Sequence, residues 1–432
     1  MLSIATRGLV LAFTLALSTN GAIGQNKPTE NKQLSIFTMP DCEPSGSTPA
    51  GVYCNSLQDW QKTFEANLPL ARTIEEVLVR SDVTSIDGAS YFVREALLQA
   101  LTKAYDLSAA PIRFTTDAGS ATAMHTRFVA RFGLADTNTD LAVFPTGQPN
   151  NPEDESAPDY VFHPKILFVE YAGGVSYGII FTSDNFKIST EFISDPSNNQ
   201  NTANFENYNF VVASPKAALV QRHRCFFDAL HGRSTGEAFD LRSVGATYSL
   251  CLFHRNATHN VADPVRFYTL PFEIDTIIAE LAYEAGSATQ IDVAGYNAGS
   301  PCISTILRKA LSNGKRVRII TDDDVCGTNL SRKDKHWYAE LENAGAEIRY
   351  MQTNAAGALS HRFHHKFMVF LGSGTPSVLT GSANFTCGGF GGNVEAVYLL
   401  NQPKMTSTYR SSFEHYWSDL AKPAGEIPLC GN

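Results

Sequence analysis

Short apolar runs and amphipathic stretches follow one another twice along this chain, in the same order each time. Val83 to Ile86 predicts a strand, Phe92 to Ala104 a helix whose apolar positions include Leu97, Leu98 and Leu101, and Pro111 to Thr115 a strand closing on Thr116-Asp117. Farther along, Gln290 to Ala294 predicts a strand, Ile303 to Leu311 a helix, and Val317 to Ile320 a strand closing on Thr321-Asp322. Ile86-Asp87 matches Ile291-Asp292 at the offset that relates the two Thr-Asp pairs. Each copy continues through a second helix (Met124 to Phe132, Lys335 to Ala344), a strand (Leu141 to Phe144, Glu347 to Tyr350) and a polar loop. A longer apolar strand follows, Phe162 to Val169 or Phe363 to Phe370. Repeated order and spacing indicate an internal duplication. Strands alternating with helical patterns predict an α/β fold: two duplicated units with mainly parallel or mixed sheets, related by a pseudo-dyad.

The pattern divides the chain into residues 68–232 and 266–432 as the two units, with 233–265 as linker and 25–67 as an irregular entry segment. Residues 1–24 read as a signal peptide: Arg7, an apolar Gly8 to Leu17, and Ala22-Ile23-Gly24 before Gln25. That apolar core is shorter than the roughly 20 residues a span needs. The reading predicts a secreted or extracellular protein, or one in a lysosomal or vacuolar lumen. Eight cysteines fit an oxidising compartment and up to four disulfides, with Cys42–Cys54 the most plausible local pair. Asn256-Ala257-Thr258 and Asn329-Leu330-Ser331 are glycosylation sequons; Asn384-Phe385-Thr386 is expected to stay bare.

Of 432 residues, 43% are hydrophobic and 11% aromatic, as in an ordinary globular protein. The formal charge of −9 argues against a broad nucleic-acid surface but leaves room for a local cationic cleft.

Inside the last strand pair of each unit lies a chemical repeat. His163-Pro164-Lys165 is followed by Thr182-Ser183-Asp184-Asn185, and His364-His365-Lys366 by Gly381-Ser382-Ala383-Asn384. His and Lys two residues apart share one side of an extended chain, which turns His365 away from the cleft. Lysine is rarely buried without a partner. Two strand lysines, each beside a histidine and upstream of Ser-x-Asn, therefore predict a symmetrical pocket for one phosphoryl group. Asp322-Asp323-Asp324 lacks the convergence of a metal site and is expected to face water, so neither metal nor cofactor is expected.

The segment from His364 to Phe370, with Leu379 to Thr386 and Gly392-Asn393-Val394-Glu395, resembles the second catalytic motif of the phospholipase D superfamily. His163-Pro164-Lys165 with Thr182 to Asn185 and Asn207-Tyr208-Asn209 resembles a divergent first motif. The resemblance spans about residues 80–425. It implies two α/β/α sandwich units with a site between them, holding catalytic His163, His364, Lys165 and Lys366. Asn185, Asn384, Ser183 and Ser382 would bind phosphate, with Glu395, Asn209 and Glu170 in support. One histidine, His163 in the family's usual order, would form a phosphohistidine while the other protonates the departing alcohol. Two departures stand out. The acid five residues beyond the lysine is Glu170 in the first copy but Leu371 in the second. Glu395 is expected to orient His364, with Asn209 as its weaker counterpart for His163.

The implied activity is hydrolysis of a phospholipid to phosphatidic acid and headgroup alcohol, with transient contact to a membrane surface and no required protein partner. Two alternatives share these residues: an acid nuclease acting on nucleic acid, and a degenerate lipid-binding module.

Overall fold

The computed structural model describes residues 33–38, 57–117, 126–131, 139–144, 161–190, 204–232, 241–296, 301–326, 332–353 and 362–430, less a few single positions. The proposed signal, Cys42, Cys54, His125, His361 and the Asn329 sequon lie outside the described residues.

The first sheet is built from β1 (Gln33–Phe37), β2 (Val83–Ser90), β3 (Ile112–Asp117), β4 (Thr139–Phe144), β5 (Lys165–Tyr171), β6 (Ser176–Thr182) and β7 (Asn207–Ala213). Their order is β1-β7-β6-β5-β2-β3-β4. The second contains β8 (Val265–Leu270), β9 (Gln290–Gly295), β10 (Arg316–Asp322), β11 (Glu347–Met351), β12 (Lys366–Leu371), β13 (Ser377–Gly381) and β14 (Glu395–Leu400), in the order β11-β10-β9-β12-β13-β14-β8. Each sheet is mixed. Only β2, β3 and β4, and likewise β9, β10 and β11, run parallel to one another, and every other pairing is antiparallel. The parallel trios are the stretches where helices intervene, as crossover geometry requires.

Helices α1 (Leu57–Leu78) and α2 (Glu95–Ser108) cover the first sheet. Leu97, Leu98, Leu101 and Ala104 form the buried stripe of α2. Its C-terminus closes at Ala109 in the left-handed region, where the Ala109 N–H reaches the Tyr105 carbonyl. α3 (Ala218–His231) and α4 (Leu241–Arg255) join the halves and are stapled by Cys225–Cys251. α5 (Ile274–Ser287), α6 (Pro301–Ser312), α7 (Arg332–Asn343) and α8 (Pro403–His415) serve the second sheet, and Cys326–Cys430 ties down the C-terminal segment.

Two expectations are revised here. The entry segment is not irregular throughout, since β1 adds an antiparallel edge to β7 and Phe37 packs against Phe367 and Tyr409 of the second unit. The linker contains the helix α4, anchored where Arg222 meets Tyr248, Glu273 and the Phe267 carbonyl.

One hydrophobic core spans both sheets. Phe162, Phe181, Phe226 and Phe227 from the first unit pack with Phe267, Phe367, Tyr398 and Tyr409 from the second. At its centre the Phe181 and Tyr398 rings stack at 3.6 Å. The fold thus sets the ends of β5 and β12 beside the opposite unit, where the histidine motifs lie.

Candidate functional site

Each histidine is placed by the other half of the molecule. Phe162 bridges in parallel to Val394, and the His163 N–H donates to the Val394 carbonyl at 2.9 Å. Phe363 bridges in parallel to Phe205, and the His364 N–H donates to the Phe205 carbonyl at 3.1 Å. The residue after each bridge partner is a glutamate. Glu395 lies 2.9 Å from His163 Nδ1, and Glu206 lies 2.7 Å from His364 Nδ1. The carboxylates therefore cross over: each unit supplies the acid for the other unit's imidazole.

This corrects the expected pairing. Glu395 serves His163 rather than His364, and its counterpart is Glu206 rather than Asn209. Asn209 is buried in β7, bonded to Ser35, Tyr409 and the Phe181 carbonyl. The signal was legible as Asn204-Phe205-Glu206 against Asn393-Val394-Glu395; the match to Asn207-Tyr208-Asn209 sits three residues late. Glu170 lies at the far end of β5, bonded to Thr84 and Tyr177, and takes no part in the cluster.

The lysines come where the two-residue spacing places them. Lys165 Nζ lies 2.9 Å from His163 Nε2, and Lys366 Nζ lies 3.0 Å from His364 Nε2 and 2.9 Å from its Nδ1. The serines do not point at a phosphate position. Ser183 donates to Glu206 and accepts from the Asn207 N–H, while Ser382 donates to Glu395 and accepts from the Ala396 N–H. They hold the carboxylates. Gly381, at φ +140, makes this possible in the second copy, because a Cβ there would meet the Ala396 carbonyl oxygen at 2.1 Å. Asn185 and Asn384 flank the cluster with their carbonyl oxygens buried and unpartnered.

The duplicated Thr-Asp pairs also acquire a purpose. Asp117 accepts from the Phe162 N–H and Asp322 from the Phe363 N–H, each one residue before a histidine. Thr116 and Thr321 donate to the carbonyls of Tyr91 and Tyr296. Those tyrosine rings lie 5.3 Å from His163 and 5.4 Å from His364. No sequence argument had marked Tyr91 or Tyr296. Asp322 and Asp323 are buried rather than facing water, bonded to Thr353, and burial together with Asp324 pushes Asp322 up to about 8. His365 is buried among Phe37, Phe363, Phe367 and Tyr416, away from the cluster.

Burial sets the electrostatics. It depresses both lysines, Lys165 to about 7 and Lys366 to about 8, against the pull of the two glutamates. His163 is lowered by burial and the lysines, with Glu395 opposing. His364 is lowered further, by burial and then by Lys366, Lys165 and Lys187. The carboxylates diverge: burial raises Glu206, whereas for Glu395 burial is opposed by His163, Lys165 and the Ser382 hydroxyl together, which bring it below its usual value. In the free protein both imidazoles are thus held toward the neutral form, His163 beside an ionised Glu395 and His364 more strongly so beside Glu206. Each imidazole feels the lysine of the opposite half, so the groups form one cluster. Among the described residues no group of three or more His, Cys, Asp or Glu side chains could hold a metal ion, and no helix is long and apolar enough to cross a membrane.

Comparison with known proteins gives this cluster a setting. A family described as "Cardiolipin synthase, PLD-like domain" matches residues 282–417. A mitochondrial cardiolipin hydrolase of Chlamydomonas reinhardtii is 32% identical over 133 residues, 31% of this chain and 53% of the relative. One from Xenopus laevis is 28% identical over 134 residues, 31% of this chain and 57% of the relative. The chain therefore spans about half the length of the curated relatives it matches. Among solved structures, the phosphatidylserine synthase of Haemophilus influenzae superposes with a TM-score of 0.52 at 12% identity, covering 82% of this chain and 85% of that one. The polyphosphate kinase of Porphyromonas gingivalis gives 0.53 at 13%, covering 90% and 47%. Both share the fold. The expected secreted or lumenal location is overturned: the curated relatives are named as mitochondrial proteins.

Proposed function

Because the chain belongs to the phospholipase D superfamily, we propose that its crossed His-Lys-Glu cluster is the active site of a phosphodiesterase that hydrolyses a phospholipid at a mitochondrial membrane. Cardiolipin is the first substrate to test, since the relatives are named for it. The observation that carries the reading is the pair of largely buried imidazoles, each with a carboxylate on Nδ1 and an ammonium within hydrogen-bond reach of Nε2.

A carboxylate on Nδ1 fixes the tautomer with the lone pair on Nε2, the form a nucleophile needs. His163 Nε2 attacks phosphorus, and the phosphorus–oxygen bond to the alcohol breaks. The departing oxygen takes a proton from His364, whose imidazolium form the anionic diester favours once it is bound between the two histidines. Water then attacks phosphorus, giving a proton back to His364, and the phosphorus–nitrogen bond breaks to free phosphatidic acid. Glu395 supports this order, because the phosphohistidine carries positive charge on the ring that Glu395 holds. Lys165 and Lys366 turn from the imidazoles to the nonbridging oxygens and stabilise the pentacovalent transition state, with the amides of Asn185 and Asn384.

The test is turnover by purified full-length protein of cardiolipin, phosphatidylcholine, single-stranded DNA and bis(p-nitrophenyl) phosphate. Lipid and soluble diester should both be cleaved. Cleavage of DNA with both lipids untouched would replace this reading with the nuclease one.

A further inference from the structure

The centre of the site is pseudo-symmetric, but its rim is not. Arg94 stands at the N-cap of α2 with its guanidinium 4.7 Å over the Phe92 ring. Phe92 packs on Tyr91 at 4.1 Å, and Tyr91 packs on His163, so Arg94 is three ring contacts from the imidazole. Its Nε is buried and has no hydrogen-bond partner, and Arg94 makes no ion pair among the described residues. The nearest opposing charge it feels is Asp184, between Ser183 and Asn185.

Lys187 is the second such group. Its N–H donates to Asp184, and its ammonium makes no ion pair among the described residues, yet its field reaches His364, Lys366 and Glu206. Asp184 spends one carboxylate oxygen on that N–H and on the Tyr208 hydroxyl, while the other is buried and unpartnered. Asp184 thus stands between the two residues, acting on the Arg94 guanidinium by its charge and holding the Lys187 backbone by its hydrogen bond. Among the described residues the second unit shows no equivalent pair. The offset relating Tyr91 to Tyr296 sets Gly299 against Arg94, and that relating Ser183 to Ser382 sets Thr386 against Lys187. Arg362, the rim cation of that side, is engaged by the Tyr296 ring and by Asp324 at 3.8 Å.

A partly buried guanidinium with an unpartnered N–H is costly unless a ligand completes it. We propose that Arg94 and Lys187 form a second phosphate subsite on the first-unit side of the cleft, which makes the preferred substrate a lipid carrying two phosphodiesters joined by a short polyol. This rests on the phospholipid reading above and adds polarity to it. The scissile phosphate lies between the two histidines, and the second phosphate lies toward α2. Arg94 suits that position, since its planar fork matches phosphate oxygens.

Two measurements test it. Initial rates are compared on mixed micelles of cardiolipin and of phosphatidylglycerol at equal total negative charge, for wild type, Arg94→Gln, Arg94→Lys and Lys187→Gln. The wild-type preference for cardiolipin should fall about tenfold in each Gln variant, the size expected for one lost charged contact of about 1.4 kcal/mol. Arg94→Lys should keep part of it. The second measurement is calorimetric binding of glycerol 1,3-bisphosphate against glycerol 1-phosphate, which needs no turnover. The bisphosphate should bind more tightly, and Arg94→Gln should erase the difference. Unchanged ratios in both measurements overturn the subsite, even if lipid is hydrolysed. Bisphosphate selectivity without lipid hydrolysis keeps the subsite and removes the lipid reading. If Arg94→Gln melts at a lower temperature, Lys187→Gln carries the test.

Discussion

The two halves of this chain have drifted apart in sequence far more than in geometry. The family match covers only residues 282–417, in the second half. Even so, the first half repeats its contacts group by group. Arg113 forks onto Asp87 at 2.6 and 2.8 Å, and Arg318 forks onto Asp292 at 2.7 and 2.8 Å. Asp117 and Asp322 pin the backbone before each histidine, and Glu395 and Glu206 cross to the opposite imidazole. What survives is the set of polar groups that would be buried without a partner if any one were lost. The apolar residues between them were free to change, because packing tolerates substitution at similar volume. The halves differ where charge balance, not shape, is at stake: around the glutamates and at the rim.

The largest break in the symmetry is expected at the histidines. His163→Ala should abolish turnover of every substrate, by about a thousandfold or more, because it removes the nucleophile. His364→Ala should be as damaging on lipid but recover on bis(p-nitrophenyl) phosphate, whose leaving group needs little protonation. Acid-quenched mass spectrometry should place the phosphoryl adduct on His163. An adduct on His364 would reverse the roles.

Stability should break the symmetry next. Arg318 is 4% exposed over a fully buried Asp292, packed against Phe413 and Trp417, whereas Arg113 is 39% exposed. Arg318→Met should cost about 3–5 kcal/mol, since it strands a buried carboxylate. Arg113→Met should cost less, about 1 kcal/mol, because the half-exposed space it leaves admits water to the Asp87 carboxylate. Equal losses by urea denaturation would mean that the two pairs are buried alike in solution.

The sequence made the duplicated strands and the His-x-Lys and Ser-x-Asn segments legible because each is local: its meaning lies within a few residues on one strand. Three things escaped it. The crossed carboxylates depend on which strand end lies beside which histidine, a fact of packing between units. Tyr91 and Tyr296 look like any aromatic residue at a strand end. The burial of Asp322 and Asp323 was misread because consecutive carboxylates normally face water, whereas here Thr353 and the N–H groups of Asp324 and Phe363 compensate them. The sheets are mixed, one of the two arrangements expected, since β5 to β7 and β12 to β14 have too little chain between β5 and β6, or β12 and β13, for a crossover.

The glutamates give a finer comparison. Glu395→Gln should lower turnover about 10- to 100-fold, the range of a lost buried hydrogen bond to a charged group. Glu206→Gln should cost less, about 3- to 10-fold on the same basis, because its pair with His364 leans neutral. The two rates measured side by side decide the matter. A larger loss from Glu206→Gln would make His364 the ring that carries charge.

The smallest expected effect distinguishes the two lysines by pH. Both have pKa values depressed mainly by burial, Lys165 to about 7 and Lys366 to about 8. A depressed lysine is charged below its shifted value and loses that charge as pH rises through it. A diester substrate stays a monoanion over this range, so only the protein titrates. The free protein should therefore hold both ammoniums at pH 6 and progressively fewer between pH 7 and 8, and kcat/KM should fall by about tenfold per pH unit for each charge that must be regained. The limb in kcat should lie at higher pH, because bound phosphate favours the charged amines. Lys165→Arg keeps its charge throughout and should leave a single limb near 8, set by Lys366; Lys366→Arg should leave one near 7. A profile for bis(p-nitrophenyl) phosphate that stays flat from pH 6 to 9 would show that neither amine loses its proton, and that the two lysines are equivalent after all.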